Sequence, residues 1–149
     1  MSLVMSRSER EAFFAGVHVG VISIPEPERG PLAVPIWYGY QPGEDVWFVT
    51  EKDSRKGRLL SKATRLSLCV QTETPPYKYV SVEGPVVSIE TADLERHHRP
   101  LAHRYLGAEL GDRYIEATSG GSEPDASVVV RVRPERWLST DYAKQYGTP

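Results

Sequence analysis

Cysteine is nearly absent from this chain. Cys69 is the only one in 149 residues, so no internal disulfide can frame the fold. It sits in an apolar, β-prone run and reads as a small core residue rather than a nucleophile. Long hydrophobic runs are absent as well. Nothing approaches the roughly 20 apolar residues that span a bilayer. The N-terminus carries Arg7, Glu9, Arg10 and Glu11 where a secretory signal needs an apolar centre. These absences point to a cytoplasmic protein with no membrane partner. Charge of one sign is lacking too: the net charge is −2, which supplies no field for nucleic acid. There is no Walker loop, no G-x-G-x-x-G and no serine in a nucleophile elbow. No carboxylate pair lies in a recognisable acid–base context. Phosphoryl transfer and hydrolysis are therefore poor readings.

Metal ligands are also scarce. His97, His98 and His103 form the only candidate cluster, since His18 is remote in sequence. Neighbouring helical residues point about 100° apart, so His97 and His98 cannot easily share an ion. No cysteine or carboxylate spacing completes a zinc pattern. These histidines read as exposed helix residues, with no metal.

What is present is ordinary for a globular chain: 40% apolar and 26% charged residues, enough to bury a core in a single domain spanning 1–149. Met1-Ser2-Leu3 reads as an added leader, with a natural start nearer Met5. Ser6 or Ser8 can cap a short helix over Glu9–Ala15, which Gly16 ends. Strands are expected over 17–24, 32–40 and 46–50, joined as a meander, with Pro35 marking an edge or a bulge and Pro42-Gly43 a hairpin turn. Residues 66–72 and 77–89 form the next two strands. Gly84-Pro85 marks a bend in the second of them, a common device where a sheet curls. Thr91 or Asp93 opens a helical stretch whose apolar face holds Leu94, Leu101, Tyr105 and Leu106. Pro100 breaks or kinks it, Gly107 ends it, and a second short helix covers 112–117. Residues 119–124 read as a flexible loop. Val128–Val132 is the last strong strand, and residues 1–5 and 141–149 are loosely held ends. The sum is six strands with short connections, a mainly β, α+β chain that forms a closed or partly closed antiparallel sheet.

The chain is organised around Val46–Val70, read as strand, basic turn, short helix and strand. Asp53 or Ser54 can cap the helix. Arg55, Lys56 and Arg58 crowd its first turn, where cations oppose the helix dipole. A docking anion such as a phosphate would explain them, and so would a solvated basic turn. Trp37, Tyr38, Tyr40, Trp47, Tyr77 and Tyr79 fall on adjacent predicted strands. Core packing accounts for most of them, and some could wall a planar ring. Strand alternation turns Trp37 and Tyr38 to opposite faces, so only one of them can line a given pocket.

The run Phe48-x-Thr50-x-x-x-Ser54-Arg55-Lys56 resembles the signature of the pyridoxamine 5′-phosphate oxidase-like superfamily. Arg65-Leu66-Ser67-Leu68 and Tyr79-Val80-Ser81-Val82-Glu83-Gly84 resemble that family's next two strands, in the same order. The resemblance covers roughly residues 8 to 140 and implies a six-stranded antiparallel split β-barrel with short flanking helices. It also implies a homodimer with FMN or coenzyme F-420 at the subunit interface. By the same resemblance Arg55 and Lys56 grip the cofactor phosphate and Ser54 donates its hydroxyl. Val49 and Thr50 present backbone near the ring, Pro35, Ile36 and Trp37 lie along it, and Tyr79 contacts it. No catalytic residue is implied, because hydride or electron chemistry belongs to the ring.

Two departures narrow the reading. The oxidases carry an Arg and a Lys on the strand before the hairpin, where Val34 and Gly39 stand here. Their basic C-terminal substrate motif is missing from Tyr142–Pro149. Vitamin B6 chemistry is therefore disfavoured. The pattern resembles the deazaflavin-using branch, which reduces small unsaturated molecules by hydride transfer. The expectation is an oxidoreductase using coenzyme F-420 or FMN. The alternative is a non-enzymatic flavin- or haem-binding carrier or sensor on the same barrel.

Overall fold

A computed structural model describes residues 2–119 and 125–146. The strands are β1 (Gly20–Ile24), β2 (Leu32–Ile36), β3 (Val46–Glu51), β4 (Arg65–Gln71), β5 (Lys78–Thr91), β6 (Ser127–Val132) and β7 (Arg136–Asp141). Every pairing is antiparallel, in the order β2-β1-β4-β5-β6-β3, with β7 added to β5. The sheet curls until its two ends nearly meet. A single bridge from Gly39, just past β2, to Trp47 on β3 closes the seam, with N–H···O distances of 2.8 and 3.0 Å. Gly39 has no side chain because the Trp47 indole lies where its Cβ would be. The result is an antiparallel split barrel flanked by short helices.

Three details differ from expectation. β2 and β3 do not form a ladder, so the expected meander stops after one hairpin; β3 pairs β6 instead. The six-stranded path β2-β1-β4-β5-β6-β3 gains an additional strand, β7, on β5. β7 escapes a hydrophobicity reading because its pattern is inverted: Ser139 is buried and Leu138 is exposed. The Ser139 hydroxyl is satisfied by the Met5 N–H at 3.1 Å, which lets a polar residue face inward. Cys69 is not a core residue either. It lies half-buried on the outer face, where desolvation raises its thiol pKa.

The core is built by strict alternation. Val46 and Phe48 on β3, Leu66, Leu68 and Val70 on β4, and Val80 and Val82 on β5 all point inward and are almost completely buried. Each is worth about 1.5–3 kcal/mol of burial. β5 turns the corner at Gly84-Pro85. Before the bend one edge pairs β7, and after it that edge pairs β6 across a bulge at Val86–Ser88. Gly84 is required because a Cβ would overlap the Arg133 carbonyl.

Helix α1 (Arg7–Ala15) plugs one end of the barrel. Ser6 and Glu9 form a reciprocal capping box, and Phe14 is wholly buried against Tyr38, Tyr40 and Trp137. Helix α2 (Arg55–Leu60) follows β3, capped by Ser54. After β5, Asp93 caps a π-helical turn (Leu94–His98). It runs into α3 (Arg99–Leu106), and Gly107, at φ +82°, joins α3 to α4 (Ala108–Thr118). Pro100 breaks nothing, because it falls in the first turn of α3, where a missing N–H is harmless. The helix expected over 112–117 is longer at both ends.

The histidines are also not the exposed residues expected. The π turn winds wider than an α-helix and rotates His97 inward against Trp47, where its Nδ1 accepts the Asp93 N–H at 2.9 Å. His98 is half-buried. His103 Nε2 lies 2.6 Å from Asp112. Among the described residues no three His, Cys, Asp or Glu side chains are placed to share a metal.

Beyond Ser119, the predicted loop over 119–124 lies outside the described residues, as do residues 1 and 147–149. Asp141, where a loose end was expected to begin, closes β7 and donates its N–H to Leu3 at 2.8 Å. Tyr142–Tyr146 form a 3-10 turn. No described helix is long and apolar enough to cross a membrane.

Candidate functional site

A cavity of about 480 Å³ lies between the barrel and the helices that follow β5. That is within the range of small-molecule and cofactor sites. The barrel contributes Pro35, Ile36 and Trp37 from the end of β2, Val49, Thr50 and Glu51 from β3, and Ser127 from β6. Lys56 enters from α2. The opposite wall is helical, built from Leu94 and His98 on the π turn, Leu101 on α3 and the Tyr114, Ile115 and Thr118 face of α4.

Six of the nine residues implied by the resemblance meet here: Pro35, Ile36, Trp37, Val49, Thr50 and Lys56. The other three lie elsewhere. Ser54 is engaged as the α2 cap, accepting the Gly57 N–H at 3.0 Å and donating to the Glu51 carbonyl at 2.7 Å. Arg55 turns to Glu26 in a 2.7 Å ion pair. Tyr79 is on the outer face of β5, opposite Gln71 and Thr140.

The three cations of the basic turn therefore differ sharply. Arg55 has Glu26, and Arg58 donates to the Asp53 carbonyl at 3.0 Å. Lys56 is half-buried on the cavity wall and has no carboxylate or hydrogen-bond partner among the described residues. Desolvation alone lowers its pKa. A cation held partly out of water without a counter-ion is destabilised until an anion joins it. Gly57 lets α2 begin this close to β3, since a Cβ would meet the Glu51 and Lys52 carbonyls.

Trp37 supplies the flat wall. Its indole stacks on Tyr105, with centroids 5.0 Å apart and planes at 6°, and leans on Tyr114 at 5.4 Å. Tyr38 faces the other way, as strand alternation requires, and is wholly buried with its hydroxyl donating to Phe14 O at 2.7 Å. Tyr40 is core, Trp47 covers Gly39, and Tyr77 is exposed. Of the six aromatics picked out in sequence, only Trp37 lines the cavity.

The helical wall was missed as part of a site. Its signal was the apolar spacing of Leu94, Leu101 and Tyr105, which says that a helix packs on something but not that a space is left beneath it. His98, Tyr114 and Thr118 carry no motif at all.

The two positions where the oxidases carry cations are accounted for as well. Val34 packs against the core, and Gly39 is covered by Trp47. Neither can offer a charge to the cavity.

Residues 7–141 match the family model described as pyridoxamine 5′-phosphate oxidase. No curated protein matches the sequence significantly. Among solved structures, a conserved hypothetical protein from Mycobacterium tuberculosis is similar with a TM-score of 0.76 and 24% identity, over 99% of this chain and 91% of that one. An F-420 reductase is similar with a TM-score of 0.60 and 22% identity, over 86% and 94%. An FAD-binding protein from Mesorhizobium loti gives 0.62 and 17%, over 91% and 94%. Likeness at these identities speaks for the fold.

Proposed function

The chain belongs to the pyridoxamine 5′-phosphate oxidase family, and from that premise we propose that its cavity holds a flavin-type cofactor, coenzyme F-420 or FMN. The protein would then be an oxidoreductase that passes hydride between that cofactor and a small unsaturated organic molecule. The observation that carries this reading is Lys56, a half-buried cation on a cavity wall with no partner among the described residues. A cofactor phosphate supplies the missing anion. The donor set fits: one cation, the buried Thr50 hydroxyl, and an apolar wall ending in the Trp37 indole. The ring would supply the redox chemistry. The chain's own residues bind and orient: Lys56 fixes the anionic end, Trp37 and the β3 backbone set the plane, and Ile36, Leu101 and Ile115 exclude water. Action on pyridoxamine phosphate is disfavoured by Val34 and Gly39, which leave Lys56 as the one lysine or arginine on the cavity wall among the described residues.

We also propose that the protein works as a homodimer in the cytoplasm. One cross-strand row on the outer face of the sheet reads Pro35, Val21, Cys69, Ser81 and Leu138, without a charge across five strands. Val21 is 45% and Leu138 62% exposed. Tyr79 lies on the same face, two residues from Ser81. A second copy laid here would cover this row and turn Tyr79 toward the interface. Sedimentation as a monomer at micromolar concentration would remove the second copy from the proposal.

Thermal unfolding with FMN and with coenzyme F-420, side by side, tests the cofactor reading. A native-state ligand at a hundredfold excess over its Kd adds about 2.7 kcal/mol. Lys56→Ala should weaken binding of the active cofactor by about 1.5–3 kcal/mol, the value of a hydrogen bond to a charged group, and leave the fold intact. Unchanged affinity would take Lys56 out of the site. Binding without turnover would favour a carrier or sensor.

A further inference from the structure

The chain has four histidines, and three have a ring nitrogen engaged within the fold. His18 Nε2 is 2.9 Å from the Phe13 carbonyl, His97 Nδ1 accepts the Asp93 N–H, and His103 Nε2 meets Asp112. His98 differs. It is half-buried, lines the cavity, and makes no hydrogen bond to a described protein group. It stands on the helical wall, whereas Lys56 stands on the α2 side. The other ionisable groups around the cavity are Lys56 on α2, Glu51 on β3 and Tyr114 on α4, with Asp93 at the start of the π turn. Lys56 has its role in the proposed binding of an anion. Glu51 is exposed at the cavity rim. Imidazole is the side chain whose ordinary titration falls near neutrality, which suits it to give and take a proton there.

Hydride transfer to a conjugated molecule needs such a group. We infer that His98 is the proton donor of this cavity, and that the molecule it serves is a small, uncharged α,β-unsaturated carbonyl compound held beside His98 on the helical wall. This rests on the cofactor reading above. The β carbon of the substrate takes a hydride from the reduced cofactor and forms a C–H bond. The C=C electron pair moves toward the carbonyl. The His98 imidazolium N–H breaks and its proton goes to the α carbon or the oxygen. The substrate gains two electrons and two hydrogens: both electrons and one hydrogen arrive as the single hydride, the second hydrogen is the His98 proton, and His98 is left neutral, to be reprotonated by water. The apolar groups Leu94, Leu101 and Ile115 suit an uncharged skeleton, and they explain why the acceptor needs only one polar partner.

Desolvation, partly offset by Asp93, holds the His98 pKa below the ordinary value. The acid form is therefore the minor one at neutral pH, and turnover should rise as pH falls toward that value.

The test uses 2-cyclohexen-1-one with the protein loaded with whichever of FMN or F-420 shifts its unfolding. His98→Gln should leave cofactor affinity unchanged and KM within about twofold. It should lower kcat about a hundredfold, in line with loss of a general acid, and remove the rise in turnover on the acid side. A side chain that only packs would move KM and kcat together and leave the pH profile in place. A readout without turnover is the ring NMR signal of each histidine in the oxidised, loaded protein. Adding 2-cyclohexen-1-one should shift His98 and leave His18, His97 and His103 in place. If the His98 signal stays still and His98→Gln keeps its kcat and pH profile, the inference is overturned while the cofactor reading stands. If neither cofactor binds, both fall.

Discussion

The two walls of the cavity are held by different forces. The barrel wall belongs to a sheet whose ladders run unbroken from β2 to β3, over a core of side chains that are almost fully buried. The helical wall reaches the barrel through a handful of contacts. The Tyr105 hydroxyl donates to His18 O at 2.6 Å and accepts the Tyr38 N–H at 3.0 Å. Arg104 donates to the carbonyls of Ala15 and Gly16 at 3.1 and 2.8 Å, and Trp37 stacks on Tyr105. Within the cover, Asp112 ties α4 to α3 through His103 and Arg99. Burial sums over many residues at about 1.5–3 kcal/mol each, while a neutral hydrogen bond nets about 0.5–1.5 kcal/mol. The cover can therefore loosen or change while the barrel stays folded. The barrel side carries the groups assigned to the cofactor, Lys56, Trp37 and Thr50. The cover carries His98, which we propose serves the substrate.

Tyr105→Phe is the largest blow to the cover that leaves its packing in place. The ring still stacks on Trp37, but the Tyr38 N–H and the His18 carbonyl lose their partner. The expected cost is about 1–3 kcal/mol, the penalty for a buried polar group left unsatisfied. Native-state hydrogen exchange should show α3 and α4 opening more readily, with the amides of β4 and β5 unchanged. Equal acceleration in both regions would mean that barrel and cover unfold as one unit, and the distinction would fail.

The same contrast explains what could be read in the sequence. Alternation at Val46–Thr50, Leu66–Val70 and Tyr79–Val82 is the direct imprint of a two-sided sheet, and Ser54 before Arg55-Lys56 is a plain helix start. Those elements needed only local rules, whereas the six cavity residues came with the family resemblance. β7 did not follow them, because the inward position is held by Ser139 and its meaning depends on Met5, 134 residues away. That Lys56 rather than Arg55 faces the cavity also depends on a distant residue, Glu26. The orientation of His97 and His98 rests on a π turn, for which no sequence rule was available. Local chemistry was legible; long-range partner choice was not.

Asp112 offers the gentler probe. Its carboxylate pKa is held below the ordinary range, first by the hydrogen bond from His103 and then by Arg99. A depressed carboxylate stabilises the folded cover fully above its unfolded pKa, near 3.9, and that contribution disappears as pH falls through the lower folded value. The groups are well exposed, 49% for Asp112 and 36% for His103, so screening keeps the effect small. It should be visible only in the cover. In the wild type, α4 amides, corrected for intrinsic exchange, should lose protection as the pH drops below about 4, while β4 and β5 keep theirs. Asp112→Asn keeps the shape and removes the charge, so α4 should start less protected and show no further acid response. If α4 in Asp112→Asn still loosens over the same range, another carboxylate holds the cover. Glu95, joined to Arg99 at 2.9 Å, would then be the residue to replace.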